Sequence, residues 1–193
     1  YQHILIGKER VMAKLLSEKS FVFKWLKEYT SNENIEIDFR DKITNVLDFG
    51  LIWSLFEKKV CDEDANATKI ENFTNDLCRR NIKNFDSNLQ FFRKRYLDNG
   101  TTNYRFNELY IEKCRRNPSA GNEIKQRVES ILKDQESEPT SVLWALLIIS
   151  YRIRNNLFHG VKNISDLCEQ ESLFCNVNRV LAKALELHKT LER

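Results

Sequence analysis

Helix breakers are scarce in this chain. Five Gly and two Pro are spread over 193 residues, and these residue types cost most inside a helix, about 1 and 3 kcal/mol relative to Ala. Apolar residues meanwhile recur at helical spacing almost throughout, and only the short run Ile35-Glu-Ile-Asp-Phe alternates with period two. The expected fold class is therefore all-α: one helical bundle of about six to seven helices, a single domain over residues 1–193.

The apolar pattern gives the layout. Val11, Leu15, Leu16, Phe21, Trp25 and Leu26 predict a first helix or helix pair ending near Tyr29. Phe39 to Phe56 form a second helix, which stops before the acidic turn at Cys61. A third is expected from Thr68 to Tyr96, followed by a turn at Asn99-Gly-Thr-Thr. Shorter helices follow over Phe106–Arg115 and Ile124–Leu132, separated by Asn117-Pro-Ser-Ala-Gly. Ser137-Glu-Pro-Thr marks the start of a strongly apolar helix with Val142, Leu146, Ile149, Ile153 and Leu157 in one buried stripe. Gly160 ends it and Ser165 caps a last helix, whose apolar face runs from Leu167 to Leu187. Trp25, Trp53 and Trp144 are expected core anchors, and His188 is expected at the surface.

Several function classes lose ground on composition. The five cysteines include no Cys-x-x-Cys pair, so neither a disulfide framework nor a zinc knuckle is implied, and for Cys168 and Cys175, seven apart on one helix face, buried thiols are the simplest reading. No apolar run is long enough for a membrane span and no secretion signal opens the chain, so a cytoplasmic protein without membrane association is expected. A net charge of +3 suits passing contact with a few phosphates better than a permanent grip on a duplex. No cluster of carboxylates or histidines suggests a metal site, and no cofactor is expected.

Chemistry concentrates where the apolar helix ends, in Tyr151-Arg-Ile-Arg-Asn-Asn-Leu-Phe-His-Gly160. Two arginines, two asparagines and a histidine must there meet water, a partner or a ligand, because burying them unpaired is costly. Tyr151, Asn155 and His159 follow at intervals of four and share a face. Arg154 and His159 stand about 140° apart on an ideal helix, so they converge only if its end loosens or a second chain contributes. An imidazole titrates near neutrality and can take the proton of a ribose 2′-OH or give one to the leaving 5′ oxygen. A guanidinium can hold the phosphate and offset the charge that grows on it. Structural readings stand beside this: an interhelical or dimer salt bridge for Arg154, and for His159 an imidazole against the last helix carbonyls. Arg93, Lys94 and Arg95, interleaved with Phe91, Phe92 and Tyr96, form a weaker candidate RNA-contacting stripe that a solvated helix face explains more readily.

The string Arg154-Asn155-Asn156-Leu157-Phe158-His159, followed by Gly160 and a last long helix, resembles the Arg-x4–6-His motif of HEPN domains. The specific part of the likeness covers about ten residues. The all-helical layout extends it loosely over the chain. The resemblance implies a symmetric homodimer with two motif copies facing one composite cleft. It also implies metal-independent endoribonuclease activity that leaves a 2′,3′-cyclic phosphate, in a toxin–antitoxin or antiviral setting where an antitoxin or other regulatory partner is possible. Arg154 and His159 would be catalytic. Asn155 would support them, with Asn156, Tyr151 and Arg152 around it.

Overall fold

The computed structural model describes residues 37–192 apart from 79, 81, 83–84, 116, 135–136 and 159–169, with side chains described from Thr44 onward except that of residue 158. Contacts divide the chain into two compact units, Tyr1–Asp41 and Lys42–Arg193. The described elements belong to the second unit, although its first helix starts at Ile37.

Among the described residues the fold is all-α. The helices are α1 (Ile37–Val60), α2 (Ala67–Asp76), α3 (Asp86–Tyr96), α4 (Tyr104–Asn107), α5 (Pro118–Lys133), α6 (Pro139–Phe158) and α7 (Glu171–Leu191). A two-stranded antiparallel ribbon, β1 (Leu97–Asp98) with β2 (Thr101–Thr102), follows α3, and a 3-10 turn at Ile111–Cys114 precedes α5. No helix among them is long and apolar enough to cross a membrane.

The bundle is organised around α6. Every residue from Val142 to Ser150 is buried, so this helix is apolar on all sides, as a central helix must be. The stripe read from the sequence is one face of it: Val142, Leu146, Ile149 and Ile153 are buried and Leu157 is partly so. Helices α2, α5 and α7 and the 3-10 turn pack around it. Helix α1 adds Phe49, Trp53 and Phe56, with the Phe49 ring 5.4 Å from that of Phe174 on α7. Trp53 and Trp144 are core anchors as expected. His188 is not the surface residue expected; it lies mostly covered, its ring 6.2 Å from that of Phe73.

The expected third helix is two helices. After Asp76 the backbone tightens, with Leu77 N–H donating to Thr74 and Cys78 N–H to Asn75, and then leaves the helix. The Thr74 hydroxyl donates to the carbonyls of Ile70 and Glu71 just before the break. Ile82 and Phe85 remain buried outside any helix, so the apolar pattern runs on where the helix does not. Asn75 and Asp76 at the end of α2 favour the break, because short polar side chains compete for backbone partners.

Asn117-Pro118 begins α5 rather than separating it from its predecessor. The Asn117 side chain accepts from Ser119 N–H and Pro118 takes the first turn, so Ala120 and Gly121 are helical. Asn99 and Gly100 adopt left-handed conformations (φ 50° and 78°) and close the ribbon as a two-residue hairpin turn. The predicted helix before Tyr29, Trp25, the stop at Gly160, the cap at Ser165 and Leu167 lie outside the described residues.

Candidate active site

The last two turns of α6 are held between α1 and the loop that follows α4, and the motif side chains sort accordingly. On the α1 side, the Tyr151 ring stacks on Trp53 with centroids 6.2 Å apart and planes at 28°. One turn on, the Arg154 guanidinium lies 3.7 Å from the Glu57 carboxylate. On the other side, Arg152 is only 6% exposed and donates through Nε to the Leu109 carbonyl at 2.9 Å. Asn156 donates through Nδ2 to the Glu108 carbonyl, also at 2.9 Å. Asn155 sits between the two groups, 9% exposed, its Oδ1 accepting from Arg154 at 3.3 Å.

Most of the polar residues in this segment therefore fasten the helix end. Arg152 and Asn156 satisfy backbone carbonyls of the neighbouring loop, Tyr151 extends the aromatic packing of α1, and Asn155 orients Arg154. Arg154 itself has its side chain 35% exposed, and its guanidinium is steered from two directions, with Nε buried. A partly exposed ion pair of this kind contributes little stability, about 0–1 kcal/mol. The interhelical salt bridge weighed for Arg154 is present, within one chain. His159 lies outside the described residues, so its distance from Arg154 is not part of this geometry.

The basic stripe on α3 has a different character from that expected. Arg93 donates through Nε to the Leu132 carbonyl at 2.8 Å and through a terminal nitrogen to Ile131 at 3.4 Å, so it satisfies the otherwise open carbonyls at the end of α5. Arg95 is half-buried with its guanidinium 5.9 Å from the Tyr96 ring centroid. Burial pushes the Tyr96 phenol up to about 12, with the Arg95 charge acting the other way. Of the three, Lys94 alone is exposed. Phe92 and Tyr96 are buried and Phe91 packs partly against the core; these rings are not a surface for bases.

The exposed aromatic rings lie elsewhere. Among the described residues the large hydrophobic side chains left in solvent are Leu47, Leu51 and Leu55 on α1, and Tyr104 and Tyr110 on either side of the loop that Arg152 and Asn156 hold. Sequence reasoning passed over both tyrosines. The available signal was Tyr104-Arg105 and Tyr110 with Lys113, two aromatic residues each close to a cation.

The described residues line several clefts. One of about 450 Å³ lies between α2 and α5, where Arg127 pairs with Glu71 at 2.8 Å and lies 3.9 Å from the Trp144 ring centroid. No group of three or more His, Cys, Asp or Glu side chains able to hold a metal ion occurs among the described residues. Compared with protein-family models, with curated proteins and with solved structures, the chain finds no match.

Proposed function

We propose that this protein is a metal-independent endoribonuclease of the HEPN type, acting in toxin–antitoxin or antiviral defence as a homodimer with a composite site. The observation that carries the reading is Arg154: a guanidinium at the end of a buried helix, on a side chain 35% exposed and held by Asn155 and Glu57, five residues before His159. In the reaction the ribose 2′ oxygen attacks the adjacent phosphorus while His159 of one protomer accepts its proton. The bond to the 5′ oxygen breaks, a protonated imidazole supplies the leaving group's proton, and Arg154 offsets the charge on the phosphoryl oxygens. The products are a 2′,3′-cyclic phosphate and a 5′-hydroxyl end.

A second reading has an observation of its own in its favour. The Arg154–Glu57 pair also suits a non-catalytic HEPN module, in which the segment braces α6 against α1 and the cleft only binds RNA, nucleotide or a partner protein. Incubation of purified protein with single-stranded RNA in EDTA separates the two. The nuclease reading expects cutting that His159→Ala abolishes without lowering the melting temperature. Binding without cutting, lost in Arg154→Ala, is the result of the second reading.

A further inference from the structure

Segment 104–113 is anchored from beneath and decorated from above. Phe106, Leu109, Ile111 and Cys114 are buried, which fixes α4 and the 3-10 turn to the core. Between these anchors Tyr104 is 63% exposed and Tyr110 is 40% exposed. Each ring has a cation on it: the Arg105 guanidinium is 5.4 Å from the Tyr104 centroid and the Lys113 ammonium 4.2 Å from that of Tyr110. Arg105 and Lys113 are themselves exposed.

The backbone here is held in an unusual shape. Tyr110 adopts a left-handed conformation, φ 51° and ψ 48°, which is a genuine outlier for so bulky a residue and needs support from its surroundings. That support comes from the motif: the carbonyls of the two residues before it, Glu108 and Leu109, are taken by Asn156 and Arg152. The same side chains that fasten the end of α6 thus fix where the Tyr110 ring projects.

We infer that Tyr104 and Tyr110, with Arg105 and Lys113, form a stacking platform for single-stranded RNA on the segment that Arg152 and Asn156 fasten to α6. An exposed ring held rigidly offers its free face to any base, and the cation beside it attracts the adjoining phosphate. The platform is therefore tolerant of sequence, because each base has a face to stack. Tyr104 and Tyr110 are positioning residues here. The inference rests on the ribonuclease reading for the fate of the bound RNA, but not for whether RNA binds.

The test pairs binding with cleavage. Anisotropy of a fluorescein-labelled, 2′-O-methylated single-stranded RNA measures affinity where no 2′-hydroxyl is available to attack, and ordinary RNA in EDTA measures turnover. Tyr104→Ala and Tyr110→Gly are each expected to weaken binding about 5- to 150-fold, raising KM with kcat little changed, and Phe at either position is expected to restore both. Tyr110→Gly tolerates the left-handed backbone, so it removes the ring without adding strain. If the parent protein cuts RNA and all these variants bind and cut alike, the platform is wrong and the nuclease reading stands. Tyrosine-dependent binding without cutting leaves the platform standing and ends the nuclease reading. If RNA is neither bound nor cut, both fail.

Discussion

Gly121 has almost no room for a side chain. A Cβ built on it would overlap the backbone carbonyl of Glu112, and backbone cannot rotate out of the way as a side-chain tip can. The close approach lets the 3-10 turn lie directly on α5. Gly121→Ala is expected to cost about 1–3 kcal/mol or more, read as a lower midpoint in urea unfolding. An unchanged midpoint would mean that the contact between the turn and α5 is not formed as described. Nothing in the sequence marked this glycine for packing, since its constraint comes from a carbonyl nine positions earlier. The opposite holds for the α6 terminus, where Arg, Asn and Tyr at the end of an apolar helix were conspicuous in the sequence. That several of them tie down a neighbouring loop was not legible, because the carbonyls of Glu108 and Leu109 are more than forty positions away.

Among the elements, those carrying strong local chemistry were readable. Pro139 opening α6, the turn at Asn99-Gly100 and the long apolar face of α7 follow from short-range rules, whereas the strands that flank the turn were not read. The merged third helix shows where such reading stops. Burial of Ile82 and Phe85 maintains an apolar rhythm across a break, and periodicity cannot tell an apolar residue in a helix from one in a buried link. The central position of α6 makes a firm expectation. Leu146 is fully buried in it, so Leu146→Ala is expected to destabilise by about 2–5 kcal/mol. By contrast, Leu51→Ala on the exposed face of α1 is expected to change stability by less than about 0.5 kcal/mol. Equal effects at both positions would contradict the arrangement of α6 at the centre.

For the molecule as a whole, the buried titratable groups set an alkaline limit. Burial pushes the Cys61 and Cys114 thiols up to about 12 from 9.0, partly opposed by Lys69 beside the first and Arg152 beside the second. The folded state thus keeps protons that the unfolded chain releases. Stability from this source is complete below pH 9.0 and is lost as pH rises toward about 12, at a limiting rate of about 1.4 kcal/mol per pH unit for each thiol. The melting temperature is expected to fall between pH 9 and 11, less steeply in a Cys61→Ala, Cys114→Ala double variant. Parallel curves for the two proteins would overturn the assignment. The same burial protects these thiols near neutrality, so a maleimide is expected to modify exposed Cys78 well before Cys61 or Cys114.

The proposed activity turns on whether Arg154 meets a phosphate or merely holds α6 to Glu57, and one comparison of cleavage rates addresses that directly. RNA cutting in EDTA would be measured for the parent protein, Arg154→Ala and Glu57→Gln, with melting temperatures alongside. The account predicts a loss of about 100-fold or more for Arg154→Ala, with cutting largely retained by Glu57→Gln although both break the same ion pair. It is contradicted if the parent leaves RNA intact, or if the two variants lose activity together in step with stability.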